Sequence, residues 1–357
     1  MKIVAVIMAG GRGERFWPKS RSDTPKQFLS LTKDCETLIQ KTVNRLSSLV
    51  DNDDIFIITN SKYMELVQKQ LSMILPENVI LEPATRNTAP CISLAAGILK
   101  RRYGEDVVML VLPSDHLIKF NALFIDTLKL SVKKAEQGDN LITIGITPTY
   151  PETGYGYINF STESSSDGAY EVVRFVEKPN IELAKEYVSS GEYLWNSGMF
   201  IWKASSILEN MQKFLPNVYE STEKICDCYG TAQFDDVLKS EFPAIQSESV
   251  DFGIMERANH IYTIPGNFGW DDVGNWLALE RINPTNEYGN VIRGDVISIN
   301  TRNSTVIGDK KLIATVGIEN IIIVDTDDAM LICSKDSTQD VKKVVENLKI
   351  CNRNEFV

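Results

Sequence analysis

Apolar runs recur along the first 150 residues at Lys2–Met8, Asp54–Thr59, Asn78–Leu81, Asp106–Leu112 and Leu141–Ile146, with no polar alternation inside them. Such runs fit strands covered on both faces, as in a parallel sheet, because a strand with one wet face alternates. Helical patterns lie between them. Glu36–Leu49 puts Leu38, Ile39, Val43 and Leu46 on one face, and Lys62–Leu75, Ala89–Arg102 and Asn121–Gln137 follow. Strand and helix in alternation predict an α/β fold, a Rossmann-like, right-handed, doubly wound mixed sheet. Ligands of such sheets bind outside the carboxyl ends of the strands, so chemistry is expected in the loops that follow the apolar runs.

Past residue 150 the alternation loosens. Tyr157–Phe160 and Tyr170–Glu177 predict a strand pair around a polar insert at 161–168. A helix is expected at Ile181–Ser190, a strand at Met199–Trp202, and mixed helices to about Lys239. From about Asn286, short β-branched runs separated by Gly, Asp and Asn predict a small β-rich, β-helix-like module, closed by a helix at Thr338–Leu348. The expected domains are therefore a catalytic one at 1–284 and a C-terminal module at 285–357. The module shows no motif of its own, so it is read as a stabilising or oligomerising appendage, and it points to a homodimer.

Composition narrows the function. With 43% hydrophobic and 24% charged residues, and no apolar run approaching about 18 residues, nothing in the sequence spans a bilayer. The first apolar run leads into Gly-Gly-Arg without a cleavage-like stretch, so a cytoplasmic protein is expected. A net charge of -11 argues against a nucleic-acid surface. Yet Arg12, Arg15, Lys19, Arg21 and Lys26 cluster near the amino terminus against Glu14 and Asp23. A local basic cluster on an acidic protein suits a small anionic ligand. The cysteines match no zinc spacing and are expected to be buried, inert thiols. His116 and His260 are the only histidines, so catalysis is expected to run on carboxylates, Lys, Arg and a metal.

The basic cluster belongs to IMAGGRGERFWPKSRSDTPKQFLSL, which starts at Ile7. As a dinucleotide fingerprint, G-x-G-x-x-G, it would place Phe16 where the third glycine belongs, and the close packing which that glycine permits is lost. As a P-loop it lacks the terminal G-K-[ST]. What remains is G-G-x-G-x-R, then Pro18, then Pro25-Lys26-Gln27. This pattern resembles the sugar-1-phosphate nucleotidyltransferases. In that family the glycines at positions matching Gly10, Gly11 and Gly13 wrap main-chain N–H groups around a nucleoside triphosphate, just past Ala9. Arg15 and Lys26 match the residues that grip its phosphates.

Further segments narrow the resemblance to the mannose-1-phosphate guanylyltransferases: EPATRNTAPCI at Glu82–Ile92, LPSDHLI around Asp115, TGYGYI at Thr153–Ile158, FVEKP at Phe175–Pro179, WNSGMFIW at Trp195–Trp202, SVDFGIMER, and FGWDDVGNW around Asp271 and Asp272. The resemblance covers about residues 1–280, and it implies the nucleotide-diphospho-sugar transferase fold. It also implies nucleotide contacts at Arg86, Asn87, Thr88 and Ser114, and sugar-phosphate contacts at Gly154, Tyr155, Glu177, Lys178 and Asn196. Asp115 and Asp272 would hold Mg²⁺ or another divalent cation, which takes one or two protein carboxylates and completes its shell with water and phosphate oxygens. Plainer roles exist for several of these residues: Asn87 or Thr88 as a helix cap, Asp115 as a turn residue, Glu177-Lys178 as a surface pair.

The activity this implies is transfer of GMP from GTP to mannose 1-phosphate, without a general base because the nucleophile is already anionic. Catalysis would rest on positioning and charge neutralisation by Arg15, Lys26 and Lys178. A heptose or glucose phosphate, or another nucleotide, is the nearest rival. Some relatives carry a histidine-liganded phosphomannose isomerase domain. This sequence has no histidine after Asn286, and isomerase activity is expected to be absent.

Overall fold

The computed structural model describes the backbone of all 357 residues and every side chain except those of residues 164–166, within the polar insert, which lie outside the described residues. The chain divides into two compact units. One comprises residues 1–10, 43–113 and 118–270, the other 11–42, 114–117 and 271–357.

In chain order the strands to residue 266 are β1 (Ile3–Ala9), β2 (Ile55–Asn60), β3 (Val79–Glu82), β4 (Val108–Pro113), the two-residue β5 (Leu117–Ile118), β6 (Leu141–Ile146), β7 (Tyr157–Ser166), β8 (Ala169–Val176), β9 (Tyr193–Lys203) and β10 (Ile261–Gly266). All but β5 join in one nine-stranded sheet of the first unit, ordered β3-β2-β1-β4-β9-β6-β10-β8-β7. β1 to β4 run parallel. β9 is antiparallel to β4 and β6, β10 is parallel to β6, and β8 and β7 continue antiparallel. The sheet is therefore mixed: β1 to β4 are parallel, as the apolar runs predict, and β9, β8 and β7 bring in antiparallel pairs. β7 carries on through the expected insert to Ser166, and β9 begins at Tyr193, ahead of the expected Met199, where Asn196 donates its main-chain N–H to the Gly156 carbonyl.

Helices α1 (Leu38–Asn44), α2 (Met64–Gln70), α3 (Thr88–Tyr103), α4 (Asn121–Glu136) and α5 (Ile181–Ser190) lie between strands, and α6 (Ala204–Phe214), α7 (Pro216–Cys226) and α8 (Phe234–Glu241) follow one another between β9 and β10. Two are shorter than their periodicity suggests. α2 is cut at its start because the Asn60 side chain accepts from Lys62 N–H and holds 61–63 in a 3-10 turn. It is cut at its end because Leu71 leaves helical angles ahead of Pro76. α1 breaks into turns after Asn44, before the expected Leu49. α3 is buried from Ala89 to Leu99 and packs on α6 and α7. Gly97 permits that approach, since a Cβ there would lie 2.6 Å from Cys226 Sγ. Burial pushes the Cys226 thiol up to about 12, so it stays protonated. Cys35 and Cys351 depart from the expectation of burial: both are exposed.

After the two-residue β11 (Trp270–Asp271), the second unit runs through α9 (Ala278–Ile282) to β12 (Val291–Arg293), β13 (Val296–Ile299), β14 (Thr305–Ile307), β15 (Ile313–Val316), β16 (Ile321–Asp325) and β17 (Met330–Ser334). β12, β14 and β16 stack in parallel, as do β13 and β15, and β17 closes the ladder antiparallel. Parallel stacking of successive short strands is the geometry of a β-helix. A 3-10 segment, Lys335–Asp340, runs into α10 (Val341–Ile350).

From Gly11 onward the glycine loop belongs to this unit. No α-helix follows it, only a 3-10 turn at Glu14–Phe16. Phe16, in the place of a third glycine, is fully buried 5.0 Å from the Trp276 ring, and Trp276 Nε1 donates to the Trp17 carbonyl at 3.0 Å. Trp17, Val324, Leu331, Val341 and Val345 share this core. Burying a large aromatic side chain contributes on the order of 3 kcal/mol, so the loop is anchored by packing rather than by a helix.

Candidate functional site

A cleft of about 380 Å³ in the second unit is lined by Arg12, Arg15, Lys26, Asp115, Asp272 and Lys342, with the glycine loop as one wall. Lys26 is its buried centre. Its ammonium lies 2.8 Å from Asp115 Oδ2 and donates to the main-chain carbonyl of Asp272 at 2.7 Å. Gly13 makes this geometry possible. It sits at φ 63°, and a Cβ there would fall 2.3 Å from Lys26 Cβ. Left-handed backbone with no room for a side chain leaves glycine as the fitting residue.

Burial pushes the Asp115 carboxyl up, but the Lys26 ammonium, with help from His116, outweighs it and holds the group below the usual carboxylate range. Burial also dominates at His116. It pushes the imidazole down despite the neighbouring Asp115, so the ring is neutral at pH 7. The two adjacent aspartates part company. Asp271 is buried, takes both Nε and Nη2 of Arg281 at 2.5 and 3.0 Å, and accepts from Val273 N–H at 2.8 Å. It holds the turn, whereas Asp272 lines the cleft. Gly274 lets the Asp272 carboxylate lie over main chain, since a Cβ there would be 2.7 Å from Oδ2.

Arg15 is exposed in the cleft, and no carboxylate pairs with it among the described residues, whereas Arg12 lies 3.8 Å from Glu14. The cleft thus pairs carboxylates able to hold a cation with cations able to hold phosphate. Among the described residues no group of three or more His, Cys, Asp or Glu side chains gathers around a metal position.

Other expected residues fall in the first unit. Ala9 ends β1 and Gly10 follows it, and the Ala9 carbonyl accepts from Thr59 Oγ1 at 2.8 Å. Gly11 and Ser114 belong to the second unit, where the Ser114 carbonyl accepts from Thr42 Oγ1 at 3.3 Å. Asn87, at φ 67°, caps α3 by accepting from Thr88 N–H. The Thr88 hydroxyl accepts from Val250 N–H at 2.8 Å, and Arg86 donates to the Pro243 carbonyl.

Around the TGYGYI segment, a Cβ on Gly156 would lie 2.7 Å from Glu177 Oε2, so glycine there lets the carboxylate approach main chain. Gly154 N–H donates to Glu152 Oε1 at 2.8 Å, and Tyr155 meets the rings of Trp195 and Trp270 edge-on at 5.2 and 5.4 Å. Asn196 Nδ2 donates to Asp251 Oδ1 at 2.6 Å. Lys178 is at φ 42° with its ammonium on Glu177. Burial pushes the Asp251 carboxyl up, against the Asn196 hydrogen bond, and the Glu177 charge adds to the rise.

Three groups escaped the sequence reading. Asp251 lies inside the quoted SVDFGIMER, and what marks it is the buried hydrogen bond to Asn196. Lys342 has no sequence signal, because its helix reaches the cleft only through tertiary packing. Glu82 ends β3, at the same carboxyl edge as Ala9, Gly10 and Pro113. Burial raises its carboxyl to about 7 against a hydrogen bond from the Cys91 thiol, and its Oε1 is buried with no partner among the described residues. Gly10 is close by, since a Cβ there would be 3.9 Å from Glu82 Oε2. A carboxylate at the tip of an apolar strand was the available signal.

A family model described as nucleotidyl transferase matches residues 4–288, and one described as a MannoseP isomerase/GMP-like beta-helix domain matches residues 294–348. A mannose-1-phosphate guanylyltransferase of Escherichia coli K12 is 44% identical over 99% of this chain and 75% of its own length. A mannose-1-phosphate geranyltransferase from Thermus thermophilus superposes with a TM-score of 0.89 at 32% identity, covering 98% of this chain and all of that one. A mannose-6-phosphate isomerase from Helicobacter pylori has a TM-score of 0.62 at 28% identity over 76% of this chain and all of its own.

Proposed function

The chain belongs to the nucleotidyl transferases and, among them, to the mannose-1-phosphate guanylyltransferases, and from that membership we propose that it transfers GMP from GTP to α-D-mannose 1-phosphate, giving GDP-mannose and pyrophosphate. The observation that carries this reading is the cleft where buried Lys26 bridges Asp115 and the Asp272 carbonyl beneath the glycine loop. A fixed ammonium, an open Arg15 and two carboxylates suit a triphosphate and its metal.

The proposed step is an in-line displacement. An oxygen of the sugar phosphate bonds to the α-phosphorus of GTP, while the bond from that phosphorus to the bridging oxygen breaks and its electron pair leaves with pyrophosphate. No proton moves, and the neutral His116 is not needed as a base. Lys26 and Arg15 oppose charge on the triphosphate, Lys178 holds the sugar phosphate as a point charge, and Glu177, Asn196 and Tyr155 bound the sugar. Gly10, Gly11 and Gly13 admit the phosphates to main chain. Asp115 and Asp272 would hold Mg²⁺ or another divalent ion, which when bound neutralises phosphate charge and orients the leaving group.

Guanine recognition falls on the segment from Glu82 to Thr88. Guanine presents N1–H and N2–H side by side, and Glu82 offers a carboxylate with an unpartnered oxygen. Arg86 and Asn87 supply further donors and acceptors. In this reading residues 1–284 form the catalytic part and 285–357 the supporting module. The protein acts in the cytoplasm as a homodimer, without nucleic-acid or membrane partners. No helix among the described residues is long and apolar enough to cross a membrane.

The test is pyrophosphate release from a panel of four nucleoside triphosphates against mannose, glucose and heptose 1-phosphates. GTP with mannose 1-phosphate is expected to give the highest kcat/KM. A better rate with another pair would move the specificity and keep the transfer chemistry.

A further inference from the structure

We propose that Lys342, on the C-terminal helix α10, is a phosphate-binding residue of the transfer, its ammonium meeting the β- and γ-phosphates of the nucleotide and the pyrophosphate that departs. The proposal rests on the nucleotidyl-transfer reading above. It assigns to the β-rich module a direct part in the chemistry rather than support alone.

Packing explains how a residue so late in the chain reaches the cleft. Val341 and Val345, one helical turn apart, are each 3% exposed in the core shared with Phe16, Trp17 and Trp276. That inward stripe presses α10 against the Glu14–Phe16 turn. Lys342 and Lys349, seven residues apart, share another face of the helix. Lys349 pairs with Glu14 at 2.8 Å, which fixes the helix to the loop. Lys342 lines the cleft beside Arg15, Lys26, Asp115 and Asp272.

Charge accounting separates Lys342 from its neighbours. Lys343 pairs with Asp340 at 2.8 Å, Lys335 with Glu280 at 2.6 Å, Lys310 with Asp327 at 2.7 Å and Lys311 with Asp325 at 3.3 Å. No carboxylate pairs with Lys342 among the described residues, although the chain carries a net charge of -11. Within the cleft, Lys26 is committed to Asp115, and Arg12 faces Glu14. Among the described residues, Arg15 and Lys342 are the cations of the cleft that pair with no carboxylate.

An anion with several oxygens satisfies both. In the proposed displacement, charge accumulates on the departing pyrophosphate as the bond to the α-phosphorus breaks. A cation at that end is therefore worth more as the reaction proceeds than in the ground state. A flexible, compact ammonium suits phosphates that must be gripped and then released.

The experiment titrates inorganic pyrophosphate, with magnesium present, into the intact wild-type chain and into Lys342→Ala, Lys342→Arg and Lys343→Ala. Loss of one charge-assisted contact should weaken pyrophosphate about tenfold in Lys342→Ala. Lys342→Arg should recover most of that loss, and Lys343→Ala should bind as wild type. In steady state, Lys342→Ala should lower kcat, raise KM for the nucleotide and leave KM for the sugar phosphate unchanged. Equal pyrophosphate affinity in wild type and Lys342→Ala would overturn the assignment, as would a KM effect confined to the sugar phosphate. Should the wild type bind no pyrophosphate and release none from any nucleotide, it is the transfer reading that falls, and this one with it.

Discussion

The cleft around Lys26 and the segment around Asn196 use polar groups in opposite ways. In the cleft, fixed charge dominates: a buried ammonium spans Asp115 and a carbonyl, and Arg15 stands open. Around Asn196 the polar atoms hold one another, with Asn196 on Asp251, Thr88 on Val250 N–H, and Asn87 on the first turn of α3. A charged array preorganised for an anion acts on the transition state, so its loss should appear in kcat. A mesh of hydrogen bonds among the protein's own groups sets shape, so its loss should appear in KM and specificity.

The sharpest way to break this contrast lies inside the cleft, at the two neighbouring aspartates. Asp272→Asn should lower kcat by about 10²–10³-fold or more and lower the melting temperature less than Asp271→Asn does, because Lys26 takes the Asp272 main-chain carbonyl, which the substitution keeps. Asp271→Asn should do the reverse. Its buried carboxylate carries the Arg281 pair, whose guanidinium is partly exposed, so stability should fall by about 1–2 kcal/mol while kcat changes far less. Steady-state kinetics and thermal melts on both variants decide it. A near-normal kcat for Asp272→Asn would remove that residue from the cation site.

A smaller effect is expected across the contrast, at Lys178. The Lys178→Ala variant should raise KM for mannose 1-phosphate about tenfold and leave KM for GTP within about twofold. If KM for GTP rises instead, Lys178 belongs to the nucleotide and the division of labour between the two regions is wrong.

The same contrast governs what could be read without coordinates. The apolar runs marked the parallel strands β1 to β4, because burial on both faces leaves a contiguous signature. The glycine loop, Arg15 and Lys26 were legible because a backbone that admits phosphate needs glycine at fixed spacing. Helix ends were not: the Asn60 turn and the early exit at Leu71 shorten α2 within an intact periodicity. Lys342 was invisible for a different reason. Whether one lysine on an amphipathic helix faces solvent or a cleft depends on the partners of Val341 and Val345, a tertiary fact that local sequence does not carry.

Glu82 offers the finest test, since it is a charge placed among the hydrogen-bonding groups. Burial lifts its carboxyl from an ordinary 4.5 to about 7. A folded-state value above the unfolded one means the stabilisation of the fold is complete below about 4.5 and is lost as pH rises through 7. Glu82→Gln keeps the shape without the charge, so its melting temperature should hold between pH 6 and 8 while that of the wild type declines. Binding should run the other way. An ionised carboxylate accepts guanine N1–H and N2–H, so the wild-type KM for GTP should fall as pH rises through 7. The nucleotide's own γ-phosphate titrates in the same window, which makes the variant the control: its KM should be higher and keep only the nucleotide's own dependence. Inosine triphosphate, which lacks the 2-amino group, should lose less than GTP when Glu82 becomes Gln. Identical pH profiles in wild type and variant would leave Glu82 a buried acid of the fold and return base selection to Arg86 and Asn87.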